Sequence, residues 1–324
     1  MQKKLRIRKV VLFFLEYLIG AGIVYWLIRR DILDLTPLKS LSPRLIGIGL
    51  ALTLLMVYLS AVRVKHLLQD HGITLSVWRC FFFNCLGIFY SLFLPGGFSG
   101  DAARAYYLLR ETPHNRGALV GSLILDRVFG LLAMIGLGTA SSAYLVLSVP
   151  WLLPYFLALS AAFLLGVGCV GFLLLADLKP RTQGRNVLVK MYEFLHNMVV
   201  RLNLSGHSRA TLAYAAGLSI VIHSLSIFLI YLCSAHNNSG LDLVGVFSVG
   251  PFGLLANAIP ISPGGLGVGE QSFEFLYKLA GARNGASSFL TARLFLYSPA
   301  VIGAAVAAVF FLRLQKLMKP RAPR

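Results

Sequence analysis

Apolar residues in this chain mass in long blocks separated by short polar stretches. One block runs from Val10 to Ile28, and others cover about 45–62, 80–94, 118–147, 151–176, 211–233, 243–259 and 289–312. A helix of about 18 or more apolar residues crosses roughly 30 Å of hydrocarbon, where every backbone polar group must be satisfied within the segment. The pattern predicts an all-α integral membrane protein, a single polytopic transmembrane domain over 1–324. The first block follows Lys3, Lys4, Arg6, Arg8 and Lys9, as a secretory leader would. It is too long for a leader, Arg29 and Arg30 follow it, and no small-x-small cleavage site is present, so it reads as a retained span.

Two blocks, 80–94 and 243–259, are too short to cross. They stop at Pro95-Gly96-Gly97 and at Pro263-Gly264-Gly265, and modest helical stretches follow over 100–110 and 269–280. Proline denies the helix a donor and paired glycines permit tight reversal, so Pro95, Gly96, Gly97, Pro263, Gly264 and Gly265 are read as hinges. Each element would be a half-span that turns inside the membrane and returns; the alternative is a short loop at the surface. The expected architecture is six full spans plus two re-entrant broken-helix hairpins. The two regions also resemble one another. Leu94 to Asp101 parallels Ser262 to Glu270 with one extra residue in the second copy, and each copy continues into a span bearing Arg127 or Arg293. The expected repeat cores are 80–147 and 243–312, related by inverted topology as in alternating-access transporters.

Composition narrows the class. At 57% apolar, 13% charged and a mean hydropathy of +0.75, an ordinary soluble enzyme is excluded. The 30 Lys and Arg against 12 Asp and Glu, with a pI near 10.1, would suggest nucleic acid in a soluble chain. Here the cations gather in the N-terminus, 63–79, 104–116, 177–210 and the C-terminal tail, which is how cytoplasmic loops look, so no nucleic-acid partner is expected. The opposite side keeps Arg29, Arg30, Lys39, Arg44, Lys278 and Arg283. Both termini are then expected in the cytoplasm, with the protein in the cell (inner) membrane and the two hairpins entering from opposite faces. The 177–210 loop carries a polar stripe (Asn186, Lys190, Glu193, Asn197, Arg201) beside an apolar one, as an amphipathic helix on the cytoplasmic surface would. Cys80, Cys85, Cys169 and Cys233 show no CxxC spacing, and neither a metal nor a cofactor is expected.

Candidate chemistry lies in charges that a bilayer should exclude, each costing on the order of 3 kcal/mol at a span's centre. Asp126 and Arg127 interrupt one span and Arg293 another, while Asp101 and Glu270 lie in the first turn after each broken element. Arg104 follows Asp101 by three residues and Glu274 follows Glu270 by four. Arg104, Arg127 and Arg293, with Gly-rich backbone amides, suit a phosphate or anionic headgroup, since a guanidinium stays charged when desolvated and meets phosphate bidentately. Asp101, Asp126 and Glu270 would balance the site when empty. The structural alternative is a local Asp101–Arg104 pair, with Asp126 or Glu270 locking helices together. Glu16 and His223 are weaker candidates, and the glycines before Glu270 fail the dinucleotide pattern. No catalytic residue is assigned.

The Pro-Gly-Gly-Phe-Ser-Gly-Asp element, Leu125-Asp126-Arg127 and Ser-Pro-Gly-Gly-Leu-Gly-Val-Gly-Glu resemble the transmembrane region of lysylphosphatidylglycerol synthases and its stand-alone, flippase-like relatives. The resemblance covers nearly the whole chain. It implies movement of a lipid between leaflets, either aminoacylated phosphatidylglycerol or, as in some relatives, polyisoprenyl-linked sugars or hopanoids. By position, Asp101, Arg104, Asp126, Arg127, Glu270 and Arg293 match the polar motif positions. The synthases' C-terminal soluble domain is not expected here, which argues against lysyl transfer. Two rival readings stay open: a membrane-embedded transferase or hydrolase of lipid-linked substrates, and a non-transporting scaffold for a partner synthase or glycosyltransferase.

Overall fold

The computed structural model describes residues 18, 21–30, 33–93, 99–112, 115–148, 153–175, 206–259 and 261–318. Glu16, the hinge Pro95-Gly96-Gly97 and most of the 177–210 loop lie outside the described residues. Within them the chain is helical and contains no strand. Helix α1 (21–29) and the short α2 (Thr36–Lys39) lead into α3 (Pro43–Gln69), α4 (Val77–Phe93), α5 (Ser99–Glu111), α6 (Arg116–Ser148) and α7 (Leu153–Leu175). The second half holds α8 (Arg209–His236), α9 (Leu243–Asn257), a tight turn at Pro263–Gly265, α10 (Val268–Leu279), α11 (Gly285–Tyr297) and α12 (Ala300–Met318).

Four segments are long and apolar enough to cross a membrane: Pro43–Gln69, Arg116–Ala143, Arg209–His236 and Gly285–Phe310. The protein is an integral membrane protein. At a rise of 1.5 Å per residue, the 17 residues of α4 and the 15 of α9 reach only about 25 and 22 Å, less than the hydrocarbon thickness. Local chemistry sets the starts. Ser42 caps α3 with Pro43 at its first position, Ser208 accepts from the Thr211 N–H, and Asp242 accepts from the Gly245 N–H.

Two boundaries differ from the sequence expectation. Helix α3 does not end near 62 but runs to Gln69, because Arg63 turns inward and is 6% exposed instead of meeting water in a loop. The block read as one span over 289–312 is two helices, broken at Ser298-Pro299 where the proline ring withdraws a donor.

Helix α4 packs against α5, α3 and α12, while α9 packs against α10, α8 and α6. The α4–α5 approach is close because Gly87 and Gly100 face each other backbone to backbone; a methyl group on Gly100 would strike the Gly87 carbonyl. One apolar core joins α3, α4, α5, α6 and α12 around Leu68, Cys85, Leu86 and Leu108, and a second joins α8, α9, α10 and α11 around Ile227, Phe273, Tyr277 and Phe289. The outer ends of both short helical pairs meet. Arg79 at the start of α4 lies 3.4 Å from Glu111 at the end of α5, and the N–H of Arg283, after α10, donates at 3.0 Å to the carbonyl of Ser239, before α9.

The start of α8 is pinned to the end of α3. Asp70 accepts from the Ser208 N–H at 2.9 Å and from the Thr211 hydroxyl at 3.1 Å. Beside it, the Nε2 atoms of His71 and His207 lie 3.1 Å apart. Burial holds both imidazoles below their ordinary 6.5, against the opposing pull of Asp70.

Candidate functional site

Five helices converge on Asp126, which is 1% exposed. Arg63 of α3 donates through Nε to Oδ1 at 2.7 Å, and Arg104 of α5 donates through Nη2 to Oδ2 at 3.0 Å. Outward from this centre, Arg63 Nη1 reaches the Ser219 hydroxyl on α8 at 2.5 Å. Arg104 Nη1 donates to Asn84 Oδ1 on α4 at 2.7 Å, while the Arg104 Nε is buried without a partner. Both oxygens of Asp126 are therefore engaged, and two buried guanidiniums share one carboxylate.

Arg127 is the next residue on α6, turned about 100° around the helix, so it leaves this cluster for α5. Its Nε donates to Asp101 Oδ1 at 2.8 Å. The pair is open: the Arg127 side chain is 60% accessible and that of Asp101 22%. Across the whole group Arg63, Arg104 and Arg127 face Asp101 and Asp126, leaving an excess of one positive charge. Such an excess attracts an anion, and an accessible guanidinium can receive one.

The second Pro-Gly-Gly element is built around Arg293 of α11. Its Nε donates to Glu270 Oε1 at 2.6 Å and its Nη2 to Oε2 at 3.1 Å. Nη1 donates to the carbonyl of Gly264 at 2.5 Å, and Nη2 also reaches the carbonyl of Gly265 at 3.0 Å and the side-chain oxygen of Asn257 at 2.9 Å. Tyr297 donates to the same Gly264 carbonyl at 2.7 Å, and Phe289 lies under the guanidinium at 4.9 Å. Amide donors of the turn are also taken: Gly265 N–H by Ser262, Gly267 N–H by Glu270 at 2.7 Å. Gly265 has φ of 71°, and a methyl group there would strike Asn257, so only glycine fits the turn.

The candidate residues thus fall into three groups. Asp101 meets Arg127, Asp126 meets Arg104, and Glu270 meets Arg293; no hydrogen bond or ion pair among the described residues joins the last pair to the other two. The local Asp101–Arg104 pair does not form. Glu274 accepts from the Ala286 N–H at 3.0 Å and holds Lys278 at 3.2 Å, anchoring the α10–α11 corner. Sequence reading missed Arg63, Asn84, Ser219, Asn257 and Tyr297. For Arg63 a signal existed, since it is flanked by Ala61, Val62 and Val64 and so continues an apolar block. Among the described residues no group of three or more His, Cys, Asp or Glu could hold a metal ion.

The family model described as the lysylphosphatidylglycerol synthase TM region matches residues 13–304. No curated protein matches the chain.

Proposed function

Because this chain belongs to the family of the lysylphosphatidylglycerol synthase TM region, we propose that it is a flippase-like lipid transporter and not an enzyme. It moves an anionic or phosphate-bearing lipid, a polyisoprenyl-linked one included, between leaflets. The observation that carries this reading is the Arg127–Asp101 pair. Asp126 and Arg104 beside it are sealed, yet Arg127 keeps a 60% accessible side chain in a cluster with one surplus positive charge. A headgroup phosphate arriving there displaces a single half-buried carboxylate and meets a guanidinium, while its tails remain in lipid.

The arrangement of helices supports alternating access by an inverted repeat. Helix α8 starts beside the end of α3, so α3 and α8 run in opposite senses across the membrane. The α4–α5 hairpin follows α3 and returns to the side where α3 ends; the α9–α10 hairpin follows α8 and returns to the side where α8 ends. Two hairpins too short to cross then enter from opposite faces. Packing is reciprocal as well: α4 lies on α12 of the other half and α9 lies on α6, while α1 packs on α11 and α7 on α6. In this reading the repeat reaches beyond 80–147 and 243–312 to most of the chain. In this reading both termini are cytoplasmic, the membrane is that of the cell, and the glycine turns are the moving parts.

The test is exchange of fluorescent phosphatidylglycerol in proteoliposomes, read as the fraction of label reached by an impermeant quencher. Arg127→Ala is expected to slow exchange about tenfold, the loss of one charge-assisted contact, with the thermal midpoint close to wild type. Wild-type exchange in that variant removes Arg127 from the path. No protein-dependent exchange of any anionic lipid tested ends the transporter reading.

A further inference from the structure

On the face of α6 opposite Arg127 lies a cavity of about 820 Å³ between α6, α7 and α8. Its α6 wall is Phe129, Ala133, Gly136 and Ala140, about half a turn around the helix from Arg127, so this space is separate from the Asp101–Arg127 pair. Its other walls are stripes of the same period: Phe163, Val167 and Gly171 on α7, and Leu212, Ala216 and Ile220 on α8. The floor is tight because glycine lets α7 close on α6; a methyl group on Gly136 would lie 2.9 Å from Phe163, and one on Gly166 would lie 2.7 Å from Leu132.

Among the described residues a single charged one lines this otherwise apolar space. Arg209, at the first turn of α8, heads the stripe of Leu212, Ala216 and Ile220, and its guanidinium is exposed and makes no ion pair or hydrogen bond among the described residues. It sits at one membrane boundary, since the adjacent Ser208 is tied to Asp70 at the end of α3. From Arg209 to Ile220 the α8 stripe is about 16 Å long, close to half the hydrocarbon thickness. The volume falls within the range of ligand pockets, and the apolar walls suit an acyl chain.

From this juxtaposition of an exposed arginine with a leaflet-deep apolar cavity, we propose a second lipid site, in which an anionic glycerophospholipid seats one acyl chain between α6, α7 and α8 with its phosphate at Arg209. The charge complementarity at the rim selects the headgroup, and the three apolar stripes hold the chain. The site is independent of the headgroup role given to Arg127.

The experiment reconstitutes the full chain in phosphatidylcholine nanodiscs doped with phosphatidylglycerol bearing a photoactivatable acyl chain, and in parallel with phosphatidylcholine bearing the same chain; cross-linked peptides are mapped by mass spectrometry. Phosphatidylglycerol is expected to label α6 and α7 peptides lining the cavity about fivefold more than phosphatidylcholine, the effect of one basic residue near an anionic headgroup. Arg209→Gln should abolish that preference, and Arg209→Lys should keep most of it. Gly171→Phe should remove labelling by both lipids; a methyl group at Gly171 meets nothing within 4 Å, so there is room for the larger ring to start into the cavity. Thermal midpoints of the variants monitor folding, and Arg127→Ala should leave the labelling unchanged, separating this site from the transport reading. Equal labelling by the two lipids, labelling that survives Gly171→Phe, or no labelling of α6 and α7 peptides, as when another part of this chain fills the cavity, overturns the proposal.

Discussion

Each Pro-Gly-Gly region places a carboxylate at the start of a short helix and an arginine on the helix that follows, and the two pairs sit in different surroundings. Arg293 and Glu270 are 5% and 0% accessible, and the guanidinium is spent on two carboxylate oxygens, two turn carbonyls and Asn257. Arg127 and Asp101 are 60% and 22% accessible and, among the described residues, hydrogen-bond side chain to side chain only with each other. What separates them is the neighbourhood. In the first half the buried role has passed one residue back, to Asp126 with Arg63 and Arg104, which frees Arg127 to face outward. Two similar motifs therefore supply a clasp in one place and an exposed contact in the other.

That contrast can be broken by substitution, and the largest effects belong to the sealed groups. Arg293→Ala leaves Glu270 buried and unpaired and is expected to cost about 3–5 kcal/mol, read as a fall in thermal midpoint in detergent; Arg127→Ala should cost less than about 1 kcal/mol in the same assay. Equal losses would erase the distinction between clasp and contact. Asp126→Asn strips two buried arginines of the charge they share and is expected to approach the Arg293→Ala effect, with Asp101→Asn near wild type in stability. Gly265→Ala forces a left-handed residue against Asn257 and should cost about 1–3 kcal/mol. The smallest effect is that of pH at the α3–α8 tie. Burial lowers the imidazole pKa of His71 and His207 in the fold, so the unfolded chain binds protons more readily; stability is complete above about 6.5 and is lost as pH falls below it. A melting series across that range should show the decline, and the double variant His71→Gln with His207→Gln should flatten it.

Much of this was legible along the chain, and the illegible part has physical causes. Blocks of apolar residues announced the helices, and the shortness of α4 and α9 followed from counting. Asp126, Arg127 and Arg293 stood out because charge inside an apolar block is costly. Arg63 did not, since it falls where its block was read as giving way to a basic loop; its apolar flanks were the one local hint, and its partner, 63 residues on, shows that it points inward. The spacing of Asp101 and Arg104 favours a local pair worth about 0.2–0.5 kcal/mol, too little to compete with a buried carboxylate presented by α6. The break at Ser298-Pro299 was masked for a similar reason, because the residues on both sides are uniformly apolar and one proline hardly alters their mean.

The seating of α4 against α12 fixes the order in which this molecule can be completed. Gly303 abuts the Cys85 carbonyl, and Phe310 rests 6.0 Å from Phe83 and 4.9 Å from Tyr107. An early hairpin thus waits for a segment that the ribosome delivers long after it. A nascent chain halted before Ala300 would expose the bare flank of α4 to lipid, and splitting the polypeptide between its halves would give two fragments that mature only together.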